Sequence, residues 1–600
     1  MLKVRRDIPK EYKWDLSAIY ATDEAFESAY SECEAEIEAL GAHADTMNES
    51  AEALYAAIKG LTDTEEKINK LWVYAALGFY VDTSDSASQA KNSRVRNLAV
   101  RFGEVTWFFT PYLLKLGEDK LGEYIASYPA LKGYERLLFK IMRDKPHTLS
   151  DECERLYSGM EDCLHLHSDV RNVFANSDLR FGKTLAEDGS KVELTDSNYV
   201  PLMTSADRKV RKSAFRVMYK TYAQFRNTFS AMYSNYVKEA CTLAKVRKYA
   251  DSRTASTYRD EVTPVIYDNL VENVSKNLPT LFKYYDLKRR ALGLSKMHIY
   301  DIYTPMVSEM ESSYTYDEAR AEVAELGDIF GKEYSEVLRR GLYERGWVDV
   351  YPARGKRSGA FSAGCASTEP YILLNFNGTF DDISTLAHEA GHSMHSYFSR
   401  TYNPPHSSGY TIFVAEVAST VNELLLLRRR VRESTSREEK LYLLNQIMEL
   451  YKSTLFRQSM LAEFERDAHR KCEEGIPLTA DLLCDLYYSI VKKYFGDGVV
   501  CDPEIAMEWM RIPHFYMNFY VYKYATCISA ASAIVERIEN EGESYVGKYI
   551  EFLKCGDAKS PLESLLVAGI DMTSPDVVRP ALLAFERAIE EFNEILGDEK

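Results

Sequence analysis

The sequence predicts a mainly α-helical fold. Glycine (29) and proline (18), the residues that break helices, are scarce in 600 residues. Long stretches are rich in Ala, Leu, Glu, Lys and Arg, which favour helix. Apolar residues also recur at helical spacing, as in Asp23 to Leu40 and Ala51 to Lys59.

The length exceeds what one compact core usually holds, so two or three domains are expected. A hydrophobic fraction of 46% supplies ample core and argues against disorder. The net charge of −17 argues against partners that are nucleic acids or anionic membrane surfaces, since both attract basic protein surface. No apolar run approaches the roughly 20 residues that span a bilayer. The first residues, MLKVRRDIPKEYKWDL, carry charge with no apolar core after it, so they do not read as a signal peptide and a cytoplasmic location is expected. Ten cysteines lie between Cys33 and Cys555 without a C-x-x-C pair, and read as reduced thiols.

Along the chain, residues 1–112 read as successive amphipathic helices. Residues 113–195 continue in that manner and end at LRFGKTLAEDGSKVELT, a short hairpin around Asp188-Gly189. The helical array resumes at Asp196, and residues 196–600 form the third division. It breaks once, in SGAFSAGCASTEPYILLNFNG, where Tyr371 to Phe376 is strand-like and Asn377-Gly378 signals a turn. Asp381 or Asp382 is expected to cap the helix that follows, DDISTLAHEAGHSMHSYFS.

That helix carries H-E-x-x-H at His388, Glu389 and His392. Residues four apart on a helix differ by about 40° around the axis and about 6 Å along it, so both imidazoles can reach one ion. Glu389 can sit beside the activated water and act as general base. Chance gives the pattern in roughly two sequences in a hundred of this composition, so context decides. A catalytic zinc takes three protein ligands. A histidine six positions after His392 would complete one known pattern, but Phe398 stands there. His395 lies nearly a turn further along and is expected to be packed or hydrogen-bonded. The remaining solution is a glutamate on a later helix. TIFVAEVASTVNELLLLRRR offers Glu416 and Glu423, two turns apart, of which only one can lie at the height of the metal. Glu416 sits in an apolar stretch, Ile412 to Val417, where a carboxylate is costly unless paired or metal-bound. That favours Glu416 as ligand, with Glu423 orienting one histidine.

The HEAGH helix followed by FVAEVAST, with Glu416 24 residues after His392, resembles oligoendopeptidase F within the thimet-oligopeptidase superfamily. EYKWDLSAIY, the GAFSAG loop and IPHFYMNFYVYKYAT also match, so the likeness covers nearly the whole chain. It implies an almost all-helical, two-lobed zincin-type fold, enclosing a deep substrate channel, with a small β-sheet beside the active-site helix. It implies that residues 196–600 form a zinc metallopeptidase domain holding one Zn2+ per chain on His388, His392 and Glu416, with Glu389 catalytic. The substrates implied are short peptides cut internally. A late segment, from His514 through Tyr516, Tyr520, Tyr522 and Tyr524, is implied to stabilise the tetrahedral intermediate. Cys527 departs from the family, whose members often have glycine there.

A regular helix from His514 to Tyr524 could not aim all these groups at one oxyanion, because Tyr522 would lie off the stripe shared by Tyr516, Tyr520 and Tyr524. A bend soon after His514 is therefore expected, with His514 and one or two of Tyr520, Tyr522 and Tyr524 as donors. The strand Tyr371 to Phe376 is a candidate to pair with the substrate backbone. Arg428 to Arg430 read as a solvated face, and His165 and His167 lack the partner spacing of a site. Two competing readings are a related zinc carboxypeptidase or dipeptidyl carboxypeptidase, and a non-catalytic helical peptide-binding protein with a relic site. The intact Glu389 speaks against the second. Cleavage preference and oligomeric state have no signal in the sequence.

Overall fold

A computed structural model describes residues 3–164, 166–307 and 313–597. Among the described residues the fold is mainly helical with three small sheets. It comprises two compact units, each gathered from three stretches of chain. One is Met1–Pro146, Glu311–Leu426 and Ile534–Ile570, and the other is His147–Met310, Leu427–Ala533 and Asp571–Lys600. The divisions read along the sequence, at 112/113 and 195/196, do not coincide with the edges of these units, because long-range packing gathers distant segments. Among the described residues no helix is long and apolar enough to cross a membrane.

In the first unit, helices Asp23–Leu40, Ala51–Tyr80 and Ser86–Thr106 start on Thr22, Ser50 and Asp85, whose side chains accept backbone N–H bonds. Their apolar faces close over Phe26, Cys33, Ile37, Leu71, Val95 and Leu98. A second cluster places Trp14, Val73 and Leu77 against Tyr371 and Leu373 of a three-stranded sheet. The hairpin around Asp188-Gly189, in the second unit, pairs Lys183–Leu185 with Lys191–Glu193 antiparallel, and Gly189 takes φ 80° at its turn.

The strands of the larger sheet are β1 (Val348–Asp349), β2 (Phe361–Ala363) and β3 (Tyr371–Leu373), in the order β1-β3-β2. β3 pairs parallel with β1 and antiparallel with β2, and all three of its residues are buried. This corrects the expectation for Tyr371 to Phe376. Both edges of that strand are taken, so it has no free edge for a substrate, and the edge positions belong to β1 and β2. The cap of the next helix also differs from expectation. The helix runs Phe380–Tyr402, and its N-cap is Thr379, in a capping box with Asp382. The pair is reciprocal: the Thr379 hydroxyl accepts from the Asp382 N–H, and the Asp382 carboxylate accepts from the Thr379 N–H. Gly378, at φ 90°, makes the preceding turn.

Candidate metal centre

Two helices of the first unit make the centre. The helix Phe380–Tyr402 presents His388 and His392 from successive turns, with their rings 4.9 Å apart at 77°. The helix Ile412–Glu433 crosses it at Gly391. A Cβ on Gly391 would lie 2.6 Å from Ser419 Cα and 2.7 Å from the carbonyl oxygen of Ala418, so only glycine permits this approach. Asn422 bonds across the same crossing, donating to the Ala387 carbonyl at 3.1 Å.

The close crossing brings Oε2 of Glu416 to 3.2 Å from Nε2 of His388 and 3.4 Å from Nε2 of His392. One donor atom from each of the three residues lies within 4.8 Å of the others. A tetrahedral zinc with ligands at ~2.0–2.1 Å holds its ligand atoms ~3.3 Å apart, so this nitrogen, nitrogen and oxygen set fits the ion. Burial alone would lower the His388 pKa, but the carboxylates of Glu416 and Glu423 outweigh it and push it up to about 10. Burial raises Glu416, yet the two imidazoles hold it well below the usual carboxylate range. The site is therefore tuned to keep opposite charges together.

Glu423 lies on the other side of His388, with Oε2 3.4 Å from Nδ1. Ser384 Oγ donates to its Oε1 at 3.5 Å. Glu423 thus orients the ring so that Nε2 faces Glu416. Glu389 is 6% exposed, and its Oε2 is a buried atom with no hydrogen-bond partner. Burial pushes its carboxyl up, while the charges of His392 and His388 oppose the rise. Ser362 of β2 supplies a backbone N–H to this carboxyl, and its hydroxyl lies 2.9 Å from Ser393 of the helix. A buried carboxyl with one oxygen left without a partner, beside the donor set, is what a general base requires. His395 is outside the set: it is 1% exposed, stacks on Tyr410 at 3.9 Å, and is pushed down to about 3 by burial.

The C-terminal segment belongs to the second unit. It is not one helix. A short turn of 3-10 helix, Pro513–Tyr516, is followed by an irregular bend, and a helix begins at Tyr522. The bend stacks Tyr520 on His514 at 5.8 Å and 13°, and sets Tyr524 edge-on to both, at 5.4 and 6.0 Å. Tyr522 goes elsewhere: it is fully buried, with its ring 4.8 Å from Tyr267. Two residues before Tyr524, it faces the opposite side of the helix from it. Tyr516 packs on Tyr233 and Tyr236. His514 is held below its ordinary value, first by burial and then by the charge of Arg171. Cys527 lies buried on the same helix. His167 faces Glu239 at 3.7 Å, and His165 lies outside the described residues.

The sequence profile of peptidase family M3 matches residues 201–582, well over half of the chain. The chain belongs to peptidase family M3. A second profile, for oligopeptidase F, matches residues 113–181. Oligopeptidase PepF of Bacillus subtilis (strain 168) is 40% identical over 592 residues, covering 99% of this chain and 88% of its own. The plasmid oligoendopeptidase F of Lactococcus lactis subsp. cremoris is 35% identical, covering 99% of each chain. Among solved structures, oligoendopeptidase-F from Enterococcus faecium is similar with a TM-score of 0.75 at 33% identity, covering 96% of this chain and 100% of its own. A crystal structure from Chlamydophila abortus reaches 0.92 at 34%, covering 99% and 100%. The M3 chain is a metalloendopeptidase acting on oligopeptides. Two features of its site had little warning in the sequence. Gly391 has a signal only once the motif helix is known to cross another helix, and Ser362 has none beyond its place in a Gly/Ser-rich loop.

Proposed function

We propose that this M3 peptidase is a zinc enzyme that cuts internal bonds of short, unfolded peptides in the cytoplasm, with one zinc per chain on His388, His392 and Glu416. The observation that carries the reading is the separation of the three donor atoms, 3.2 and 3.4 Å, with Glu389 buried beside them. When bound, zinc supplies Lewis acidity, which activates water and polarises a peptide carbonyl. Glu389 takes the proton of the attacking water and returns it to the leaving amine; its Oε2 has no other hydrogen bond to break, and burial strengthens it as a base. Glu423 keeps His388 in register. The edge strand β2 offers its backbone to an extended substrate, which reads peptides with little regard for side chains. His514, Tyr520 and Tyr524 donate hydrogen bonds to the oxyanion, a role supported by their convergence.

The test is a quenched fluorescent peptide blocked at both ends. The protein should cut it, lose that activity to a strong chelator, and regain it with about one zinc per chain. Cleavage of free-ended peptides only, or full activity in chelated protein, would overturn the reading.

A further inference from the structure

Between Tyr516 and Tyr522 the chain makes a turn that its side chains oppose. Asn518 has φ 42° and Phe519 φ 57°, two consecutive left-handed residues, neither of them glycine. Left-handed backbone presses Cβ against the next carbonyl oxygen, so such a pair persists only where its surroundings hold it. The surroundings are specific. The Phe519 N–H donates to Oε1 of Glu465 at 2.6 Å, and Ser256 Oγ donates to the Asn518 carbonyl at 2.8 Å. The Phe519 ring is 1% exposed and lies between Tyr267, at 5.6 Å, and His469, at 4.5 Å.

Glu465 is 0% exposed, inside the helix Arg457–Glu473. Among the described residues no cation comes within ion-pair distance of it, and Lys523 is taken by Asp260 at 2.7 Å. Burial pushes its carboxyl up to about 8. A buried carboxyl without a cation is costly, and the hydrogen bond that Glu465 accepts comes from the backbone of this turn. The turn has a consequence for the rings. Six residues separate His514 from Tyr520, a distance of ~9 Å along a helix or ~20 Å along a strand. Here the rings stack at 5.8 Å.

We propose that Glu465 is a positioning residue: it clamps the left-handed turn at Asn518-Phe519 and so sets Tyr520 and Tyr524 against His514. The inference rests on the reading of those three rings as oxyanion donors. Glu465→Met keeps the bulk and removes the acceptor. It should lower kcat by ~10–100-fold, as a misplacement of ~1 Å does, with KM and zinc content little changed. Glu465→Gln keeps an acceptor oxygen and should recover most of the loss. The deciding arm is a double-mutant cycle with His514→Ala. A clamp that sets the tyrosines against His514 costs less once His514 is gone, so the double variant loses less than the product of the two losses, whereas a merely structural residue multiplies them in full. Multiplied losses, or wild-type kcat in Glu465→Met, overturn the clamp. Should Glu465→Met fail to fold, Ser256→Ala removes the second bond to the same turn and is read in the same cycle, with ~3–10-fold expected. Near-normal kcat in His514→Ala would overturn the oxyanion reading and the clamp together. Loss in His514→Ala beside wild-type kcat in Glu465→Met overturns the clamp alone.

Discussion

Gly391→Ala is the smallest change that should dismantle the metal centre without touching a ligand. In an open helix interior, alanine would stabilise the protein by ~1 kcal/mol over glycine. Here the new Cβ would sit 2.6 Å from Ser419 Cα and 2.7 Å from the Ala418 oxygen, both backbone atoms that cannot rotate away. Carbon atoms in contact stand ~3.5–4.0 Å apart, so the helices must separate by ~1 Å. Glu416 lies one turn before Ser419 and moves with it. Its distances of 3.2 and 3.4 Å to the two imidazoles then approach ~4 Å, where a tetrahedral zinc needs ~3.3 Å. Competition against a chromophoric chelator should show zinc affinity falling by ~10²-fold or more, with turnover falling in proportion at limiting metal. Thermal unfolding of the metal-free protein should show a loss of ~1–3 kcal/mol, the cost of overpacking, in place of the gain expected from propensity. Wild-type zinc affinity in this variant would refute the claim that the helix crossing sets the ligand geometry.

Other outcomes follow from the same geometry. Glu389→Gln should keep its zinc and its fold and lose ~10³-fold or more in kcat, while loss of zinc would make Glu389 a ligand. Glu416→Ala should lose zinc severely and Glu423→Ala by ~10–100-fold, and the reverse order would exchange their roles. In metal-free protein His388, pushed up to about 10, carries a proton at pH 7, so zinc binding should release about one proton per ion and tighten ~tenfold per pH unit from pH 7 to 8. The raised value also stabilises the metal-free fold fully below the ordinary 6.5, a contribution lost as pH climbs through about 10. Calorimetry in buffers of different ionisation enthalpy reads the proton directly, and none released would contradict the pairing. Tyr520→Phe or Tyr524→Phe should cut kcat by ~10²–10³ while Tyr522→Phe leaves it near normal, and the opposite pattern would move the donor role into the core.

Helical texture and the metal helix were legible because both are local. Four-residue spacing places His388 and His392 on one face whatever surrounds them. Glu416 was legible for a different reason: a carboxylate in an apolar run needs a partner, and the run supplies none. The sheet was legible as a break in texture but not in its order. A strand of apolar residues reads equally well as a centre or an edge, and β3 became the centre because β1, distant in sequence, pairs along its far side. The capping residue failed similarly, since Asp381, Asp382 and Thr379 all lie near the helix start and only the capping box selects among them.

The C-terminal segment is where pattern reasoning runs out, and the reason is physical. Helical periodicity groups Tyr516 with Tyr520 and Tyr524, and it excludes His514 only weakly. The bend removes Tyr516 from that stripe and sends it to Tyr233 and Tyr236, while bringing His514 in. Nothing in Met517-Asn518-Phe519 announces a left-handed turn beyond the modest tolerance of asparagine for that region, and phenylalanine opposes it. The conformation is dictated by Glu465, more than fifty residues earlier, together with Ser256, which is further still. Local propensity and tertiary hydrogen bonding therefore disagree at this turn, and burial of the Phe519 ring adds to the tertiary side. Conflicts of this kind persist where a site needs a geometry that regular structure cannot supply. Three rings converging from two segments, where one helix would have spread them along a stripe, is such a geometry.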